Sequence, residues 1–312
     1  MDPLQRSLRA AIAQCRARIA AREIDSYMLR FKQVDVFTTV PFRGNPVAVV
    51  LGAEGLTGED MQRIATWTNL SETTFVLQPT REGADYLLRI FTPRAELPFA
   101  GHPTIGSAHA AIEAGIVRPR DGRLRQECGA GVLDIALEAG RIWVTSPATS
   151  VRRPDARYAD ALGEALGARV VPSPLIVDVG PVWLVADLGD AAVVDGLDPD
   201  MEAIGHLGEP LGITGVTVFG AAADGEAAIH VRSFAPAHGV PEDPVCGSGN
   251  ISVAAYMVES SLVGRYGASY AARQGMQLGR DGRVYMRIDE DGATIRLGGH
   301  AVTCVDGSLR VR

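Results

Sequence analysis

Lysine is nearly missing from this chain of 312 residues: of its 30 lysines and arginines, only Lys32 is a lysine. Pyridoxal phosphate needs a Schiff-base lysine. Lys32 opens an expected strand ahead of any active-site-like turn, so that class of enzyme is set aside. Cysteine is also scarce. Cys15, Cys128, Cys246 and Cys304 are too few and too scattered for a disulfide framework, which fits a reducing, cytoplasmic location. No apolar run approaches the roughly 18 residues of a membrane span, so no membrane partner is expected. The six histidines are dispersed, and neither a His-Glu-x-x-His nor a paired-cysteine spacing occurs. No metal is expected on those grounds. Positive charge is in deficit too, and a net charge of −7 argues against a nucleic-acid partner, which would need a basic face.

What the chain does have is one long unit used twice. The first copy is Phe91-Thr-Pro, then Glu96-Leu-Pro-Phe-Ala-Gly-His-Pro-Thr-Ile-Gly-Ser-Ala-His-Ala110. The second is Phe234-Ala-Pro, then Glu242-Asp-Pro-Val-Cys-Gly-Ser-Gly-Asn-Ile-Ser-Val-Ala-Ala255. With Gly101 set on Gly247, Glu96 meets Glu242, Pro98 meets Pro244, Ala100 meets Cys246 and His102 meets Ser248. The strands leading in agree as well, Tyr86 to Pro93 against Ile229 to Pro236. Each copy reads as a strand, a tight turn and a helix of small apolar residues. Backbone N–H groups at such a turn, with the positive end of the helix dipole, suit an anionic group.

At this length two domains are expected. Residues 1–27 form a basic, weakly amphipathic stretch with arginines among alanines, and it reads as an extension outside the fold. The first lobe spans 28–146, joined by a C-terminal strand near 300–312, and the second spans 147–299. In the first, the pattern predicts strands at Phe31–Phe37, Val47–Leu51, Ser71–Leu77 and 86–91, a helix capped by Thr57, a helix from Thr104 to Ala114, and strands at Cys128–Leu137 and Ile142–Thr145. In the second it predicts helices at 160–166, 199–208 and 250–259. Each helix of the repeat is apolar nearly all round, so each should be wrapped by sheet. The fold class is therefore α+β, with two similar lobes and both helix starts at a cleft between them, where ligands commonly bind.

Several residues could carry chemistry. Glu72 follows a helix end and leads into Thr-Thr-Phe-Val-Leu, so it should be partly desolvated. That raises a carboxyl pKa and makes a proton carrier near neutrality, although a plain strand-edge glutamate fits the same pattern. His102 could bind a carboxylate or shuttle a proton, or simply fix its turn. Asp243 is a second acid or base, or an Asx-type turn residue. Cys246 and Ser248 have the chemistry of nucleophiles, but no Gly-x-Ser-x-Gly elbow accompanies them. Gly247-Ser-Gly249-Asn-Ile-Ser252 mimics a dinucleotide fingerprint without the acidic residue about 20 positions on.

Val34-Asp-Val-Phe-Thr, Pro41-Phe-Arg-Gly-Asn-Pro-Val-Ala-Val-Val, Asn69-Leu-Ser-Glu-Thr-Thr-Phe-Val, Arg89-Ile-Phe-Thr-Pro, Glu96-Leu-Pro-Phe-Ala-Gly-His-Pro-Thr and Glu242-Asp-Pro-x-x-Gly-Ser resemble the PhzF-like family of phenazine biosynthesis. The resemblance runs in order from about Val34 to the C-terminus. It implies a diaminopimelate epimerase-like fold, with each lobe a curved, barrel-like, mostly antiparallel sheet around a central helix. It further implies a homodimer and a cofactor-independent isomerase that moves a proton on a small carboxylated metabolite. By that resemblance Glu72 carries the proton, His102, Asp243 and Ser248 support it, and Gly101 and Gly247 present N–H groups to the substrate, with Cys246 beside them. The chain departs from the family's usual Glu-Asp-Pro-Ala-Thr-Gly-Ser-Ala at Val245, Cys246, Gly249 and Asn250. Cys246 brings it nearer to related two-thiol racemases, but the matching first-lobe position is Ala100. A one-thiol epimerase or racemase using Cys246, and a non-catalytic ligand-binding relative, stay open as alternatives.

Overall fold

The computed structural model describes residues 27–223 and 225–311. The expected extension at 1–27 therefore lies outside the described residues, except for Tyr27, which opens the strand Tyr27–Val36. That strand pairs antiparallel with Asn45–Leu51, which runs parallel to Thr73–Leu77. Then follow Tyr86–Phe91 antiparallel, Arg123–Cys128 parallel, and the antiparallel strands Gly131–Glu138 and Arg141–Thr145. The second half repeats the order of pairings. Leu175–Asp178 pairs with Val182–Asp190, followed by Gly215–Ala221 parallel and Ile229–Ala235 antiparallel. Ser269–Gln274 is then parallel, and Gly282–Ile288 and Ile295–Gly299 close the run antiparallel. The halves join where Arg141–Thr145 pairs with Ile295–Gly299, with Val144 opposite Leu297. The C-terminal strand Ala301–Val311 returns to pair with Tyr27–Val36.

Each half curls round one helix, Gly101–Glu113 or Gly247–Glu259, and ten residues of each helix are buried. Small side chains make that possible. Alanine, glycine and serine let strands approach from every side, and no charged group before Glu113 has to be kept wet. Ile105 and Ile251 meet strand residues such as Val34, Val47, Phe219 and Leu297 in one continuous core. Strands that face this core on one side alternate accordingly, as in Gly282–Ile288, where every second residue is buried. Outer faces are covered locally. Gly58–Thr68 lays Met61 and Ala65 on Phe75 and Phe91. In the second half Arg157–Leu166 and the short helices after it cover Leu184, Val216 and Phe234.

Elements differ from the sequence reading where backbone chemistry overrides the apolar pattern. Cys128 to Leu137 is two strands, because a turn at Gly129-Ala130 leads to Gly131 at φ 119°. The helix expected over 199–208 breaks into Met201–His206 and Gly208–Leu211, since Pro210 has no N–H to continue the ladder. Both central helices start three residues early, at the glycines, because Ala100 and Cys246 are extended cap residues. Glu72 stands just before its strand, which starts at Thr73.

Two sets of charged contacts brace the frame. In each lobe a strand arginine forks onto the turn glutamate: Arg89 Nε and Nη2 donate to Glu96 at 2.7 Å each. Arg232 does the same to Glu242 at 2.9 and 2.8 Å. Planar two-point pairs of this kind fix geometry as well as charge. Lys32 is 2% exposed, and its ammonium sits 2.8 Å from Glu113 and 2.6 Å from Asp306.

The seam between the lobes leaves no room for a side chain at Gly298. A Cβ there would lie 2.5 Å from two ring atoms of Trp143 on the facing strand. Gly298→Ala is expected to destabilise the fold by about 1–3 kcal/mol, read as a lower denaturant midpoint with an unchanged slope.

Candidate active site

The two central helices begin face to face. A Cβ on Gly101 would lie 2.6 Å from Leu297 Cδ2; one on Gly247 would lie 3.3 Å from the same atom and 3.4 Å from the backbone nitrogen of His102. Leu297 thus touches both starts, and a side chain at either glycine would crowd it. No side chain caps the first helix, so its leading N–H groups are presented as a helix start presents them.

Around this junction stand three titratable groups. Glu72, from the loop before Thr73–Leu77, is 16% exposed, and its Oε2 lies 3.4 Å from His102 Nε2. Both atoms are buried without a hydrogen-bond partner. Burial raises the Glu72 carboxyl from the usual value near 4.5 to about 7, against a smaller opposing bond from Ser71. Burial also lowers His102 to about 4, although Asp243 and the Pro46 backbone oppose it. The imidazole is therefore neutral at pH 7, and the 3.4 Å contact is not an ion pair. Proline offers only a carbonyl, so the ring N–H donates to Pro46 through Nδ1, and Nε2 turns its lone pair to Glu72. Asp243 is raised from 3.8 to about 6, chiefly by burial, with Glu72 adding and His102 opposing. Two carboxyls poised near neutrality beside a neutral imidazole can take up, pass on and release a proton.

The second-lobe turn is held by side chains from both lobes. Asn45 Nδ2 donates to Asp243 Oδ1 at 3.1 Å and to the Val245 carbonyl at 3.0 Å. Gln274 accepts from the Cys246 N–H and from Asn250, and donates to the Asp243 carbonyl. Cys246 is 3% exposed. Its sulfur caps the helix by accepting the Gly249 N–H at 3.2 Å, and burial first, then Asp243, push the thiol well above its usual range. Ser248 Oγ accepts from the Trp183 indole N–H at 3.1 Å. Glu72, His102 and Asp243 thus meet at the helix starts, while Cys246 and Ser248 form the adjoining corner. Among the described residues no group of three or more His, Cys, Asp or Glu is placed to hold a metal ion.

Asn45, Trp183 and Gln274 escaped the sequence reading. Asn45 sits in the Arg-Gly-Asn-Pro stretch that reads as turn chemistry, and that motif was the one available signal. Trp183 and Gln274 reach the site only through pairings between distant strands. The pairing registers also expose an asymmetry. With Phe91 matched to Phe234, Glu72 falls on Gly215 and Val47 on Trp183. The second lobe therefore holds an indole over a glycine where the first holds the carboxyl.

Residues 34–307 match the family model described as phenazine biosynthesis-like protein, PhzC-PhzF. The chain is 40% identical over 290 residues to "Antisense-enhancing sequence 1" of Schizosaccharomyces pombe, covering 89% of this chain and 97% of that one. It is 34% identical over 290 residues to trans-2,3-dihydro-3-hydroxyanthranilate isomerase of Pseudomonas aeruginosa, covering 90% and 99%. The crystal structure of a Bacillus anthracis phenazine biosynthesis protein of the PhzF family superposes with a TM-score of 0.74 at 26% identity, covering 91% and 100%.

The raised Glu72 pKa has a cost that stability can report. Between pH 4.5 and about 7 the folded protein holds a proton there that the unfolded chain releases. Stability therefore falls as pH rises through that window. Glu72→Gln is expected to stabilise the fold at pH 8 by up to about 3 kcal/mol and to give no gain at pH 4. Chemical denaturation at the two pH values checks it; an equal effect at both would refute the burial assignment.

Proposed function

Because the chain belongs to the phenazine biosynthesis-like PhzC-PhzF family, we propose that this isomerase moves a proton on a small carboxylated substrate without a cofactor, with Glu72 as the carrier. The observation behind this reading is the buried Oε2 of Glu72, unpartnered and 3.4 Å from an equally unpartnered His102 nitrogen. Such a pair costs stability unless a substrate uses it.

The steps follow from the charges. The substrate carboxylate lies against the N–H groups at Gly101 and Gly247, where two helix dipoles favour negative charge. Glu72 as carboxylate takes a proton from a carbon alpha or vinylogous to an acidifying group. The electron pair of that C–H bond delocalises into the conjugated system. Glu72, now the acid, gives the proton to another carbon, so a C–H bond breaks, another forms and nothing is oxidised. His102 and Asp243 tune the carrier and relay its proton, and Ser248, oriented by Trp183, holds the polar end of the substrate. A carbon acid suits a base with a pKa of about 7, because a stronger base would be protonated before substrate arrived. The homodimer belongs to this reading through the family resemblance.

The thiol alternative fits less well. Cys246 is buried, strongly held as the thiol and occupied as a helix cap, whereas a thiol base acts as the thiolate. Its first-lobe counterpart is Ala100, which cannot return a proton from the opposite face.

Trans-2,3-dihydro-3-hydroxyanthranilate, the compound named for the Pseudomonas relative, is the first substrate to try, followed by a metabolite pool in deuterated water. Wild type is expected to incorporate solvent deuterium into a turned-over compound. Glu72→Gln should lose about 10²–10⁴-fold of that exchange while binding the compound with similar affinity. Exchange that survives in Glu72→Gln would remove Glu72 from the role, and loss on thiol alkylation alone would move it to Cys246.

A further inference from the structure

Asn45 is 1% exposed at the first residue of the strand Asn45–Leu51, yet its amide belongs to the other lobe. The segment that delivers it is fixed along its length. Phe37 and Phe42 both sit at φ 68°, a left-handed conformation that is strained for bulky residues. Four bonds tie this segment to the second lobe. Arg43 Nη1 donates to the Gly279 carbonyl at 3.0 Å, and Arg280 Nη1 to the Phe42 carbonyl at 2.9 Å. The N–H groups of Asp281 and Arg283 donate to the carbonyls of Arg43 and Phe37, each at 2.8 Å. At Gly44 a Cβ would lie 2.2 Å from the Val36 carbonyl oxygen, so the turn into Asn45 admits only glycine. Strain persists where surrounding structure over-determines it, and what this strap holds in place is the Asn45 amide.

Two of the donors on Asp243 share one oxygen, and the Cys246 thiol also bonds to this carboxyl. Asn45 Nδ2 and the Val245 N–H both bond to Oδ1, at 3.1 and 3.0 Å. An oxygen that already accepts two hydrogen bonds is the poorer seat for a proton, so the exchangeable proton of Asp243 goes to Oδ2. The titratable groups acting on Asp243 are Glu72, His102 and Cys246, with the Arg232–Glu242 fork one residue away. Cys246 lies in the same lobe as Asp243, so its bond does not tie the two lobes together.

We infer that Asn45 is a positioning residue: by pinning Oδ1 across the lobes it commits Oδ2 of Asp243 to proton exchange with Glu72 and His102. The inference rests on the acid/base reading above and adds to it a device that makes Asp243 competent only when the lobes are in register. Asp243 accepts the Val245 N–H within its own lobe, but only Asn45 makes that orientation depend on the other one.

The test follows the Asp243 carboxyl itself, by ¹³C NMR of aspartate-labelled full-length protein, with the signal assigned by its loss in Asp243→Asn. Asn45→Ala removes a donor to the charged form, and the Asp243 titration is expected to move up by about one unit or more. Deuterium exchange at pH 7 should fall at least about tenfold, and its acidic limb should move up in parallel. In the Asp243→Asn background the same change should cost less than about twofold, because Asn45 would have nothing left to position. Should Asn45→Ala fail to fold, the isosteric Asn45→Asp sets a second carboxyl against Asp243 and is expected to raise its titration further, with the same loss of exchange. An unmoved Asp243 signal, or losses that simply multiply in the double variant, overturns the inference. If wild type shows no Glu72-dependent exchange, the acid/base reading fails and the NMR titration alone decides whether Asn45 holds Asp243. If Glu72 dependence is intact and Asp243 stays put, Asn45 alone is wrong.

Discussion

Two helix starts pressed together over one leucine side chain set the terms for the rest of this molecule. Each helix N-terminus carries roughly half a positive charge, and here the two like ends meet out of water, with Leu297 against Gly101 and Gly247. That arrangement is unfavourable unless negative charge lies between or beside them. Glu72 and Asp243 supply some, and a bound carboxylate would supply more. The same closeness dictates composition. Glycine heads both helices where Leu297 leaves little space, small residues dominate the rest of each helix, and strands close in on all sides. Curved sheets, buried helices and a polar junction all follow from one contact.

The repeat makes the scaffold nearly two-fold, and the chemistry breaks that symmetry. Val144 faces its own counterpart Leu297 across the seam, and the Arg–Glu forks of the two lobes match atom for atom. At the reacting corner the copies part. Glu72 is opposed by Gly215, His102 by Ser248, Ala100 by Cys246 and Val47 by Trp183. A racemase working from both faces wants matched groups on the two sides. A proton that leaves and returns through one carrier needs one side to act and the other to hold. The unequal pairs here suit that second way, the one proposed above.

Much of this was legible in the chain. The repeat could be aligned by eye, and it located both turns and two of the three titratable groups that converge there, His102 and Asp243. Glu72 could be suspected because a carboxylate ahead of five strand-forming residues has little access to water. What stayed hidden depends on register. Asn45 and Asp243 are nearly 200 positions apart, and they meet through the pairing of the two lobes and the strap through Arg43, Arg280 and Asp281. Trp183 meets Ser248 because a parallel strand pairing seats it over Gly215. Cys246 read as a chemical group because thiols are not usual helix caps, and its bond from Gly249 depends on a backbone turn that spacing cannot describe. Helix ends were misjudged for the same reason: apolar pattern marks where a helix is buried, whereas cap geometry and Pro210 decide where it stops.

Lys32 has a consequence unrelated to the site. As the sole lysine of the chain, it offers a lysine-specific endoproteinase one bond to cut. That bond lies mid-strand in Tyr27–Val36, between Asn45–Leu51 on one side and Ala301–Val311 on the other, with the ammonium held by Glu113 and Asp306. A protease must draw an extended segment into its own cleft, so it reaches this bond only after the strand has left the sheet. Cutting under native conditions would therefore track the population of opened molecules, and the chain carries within it a clock for its own unfolding.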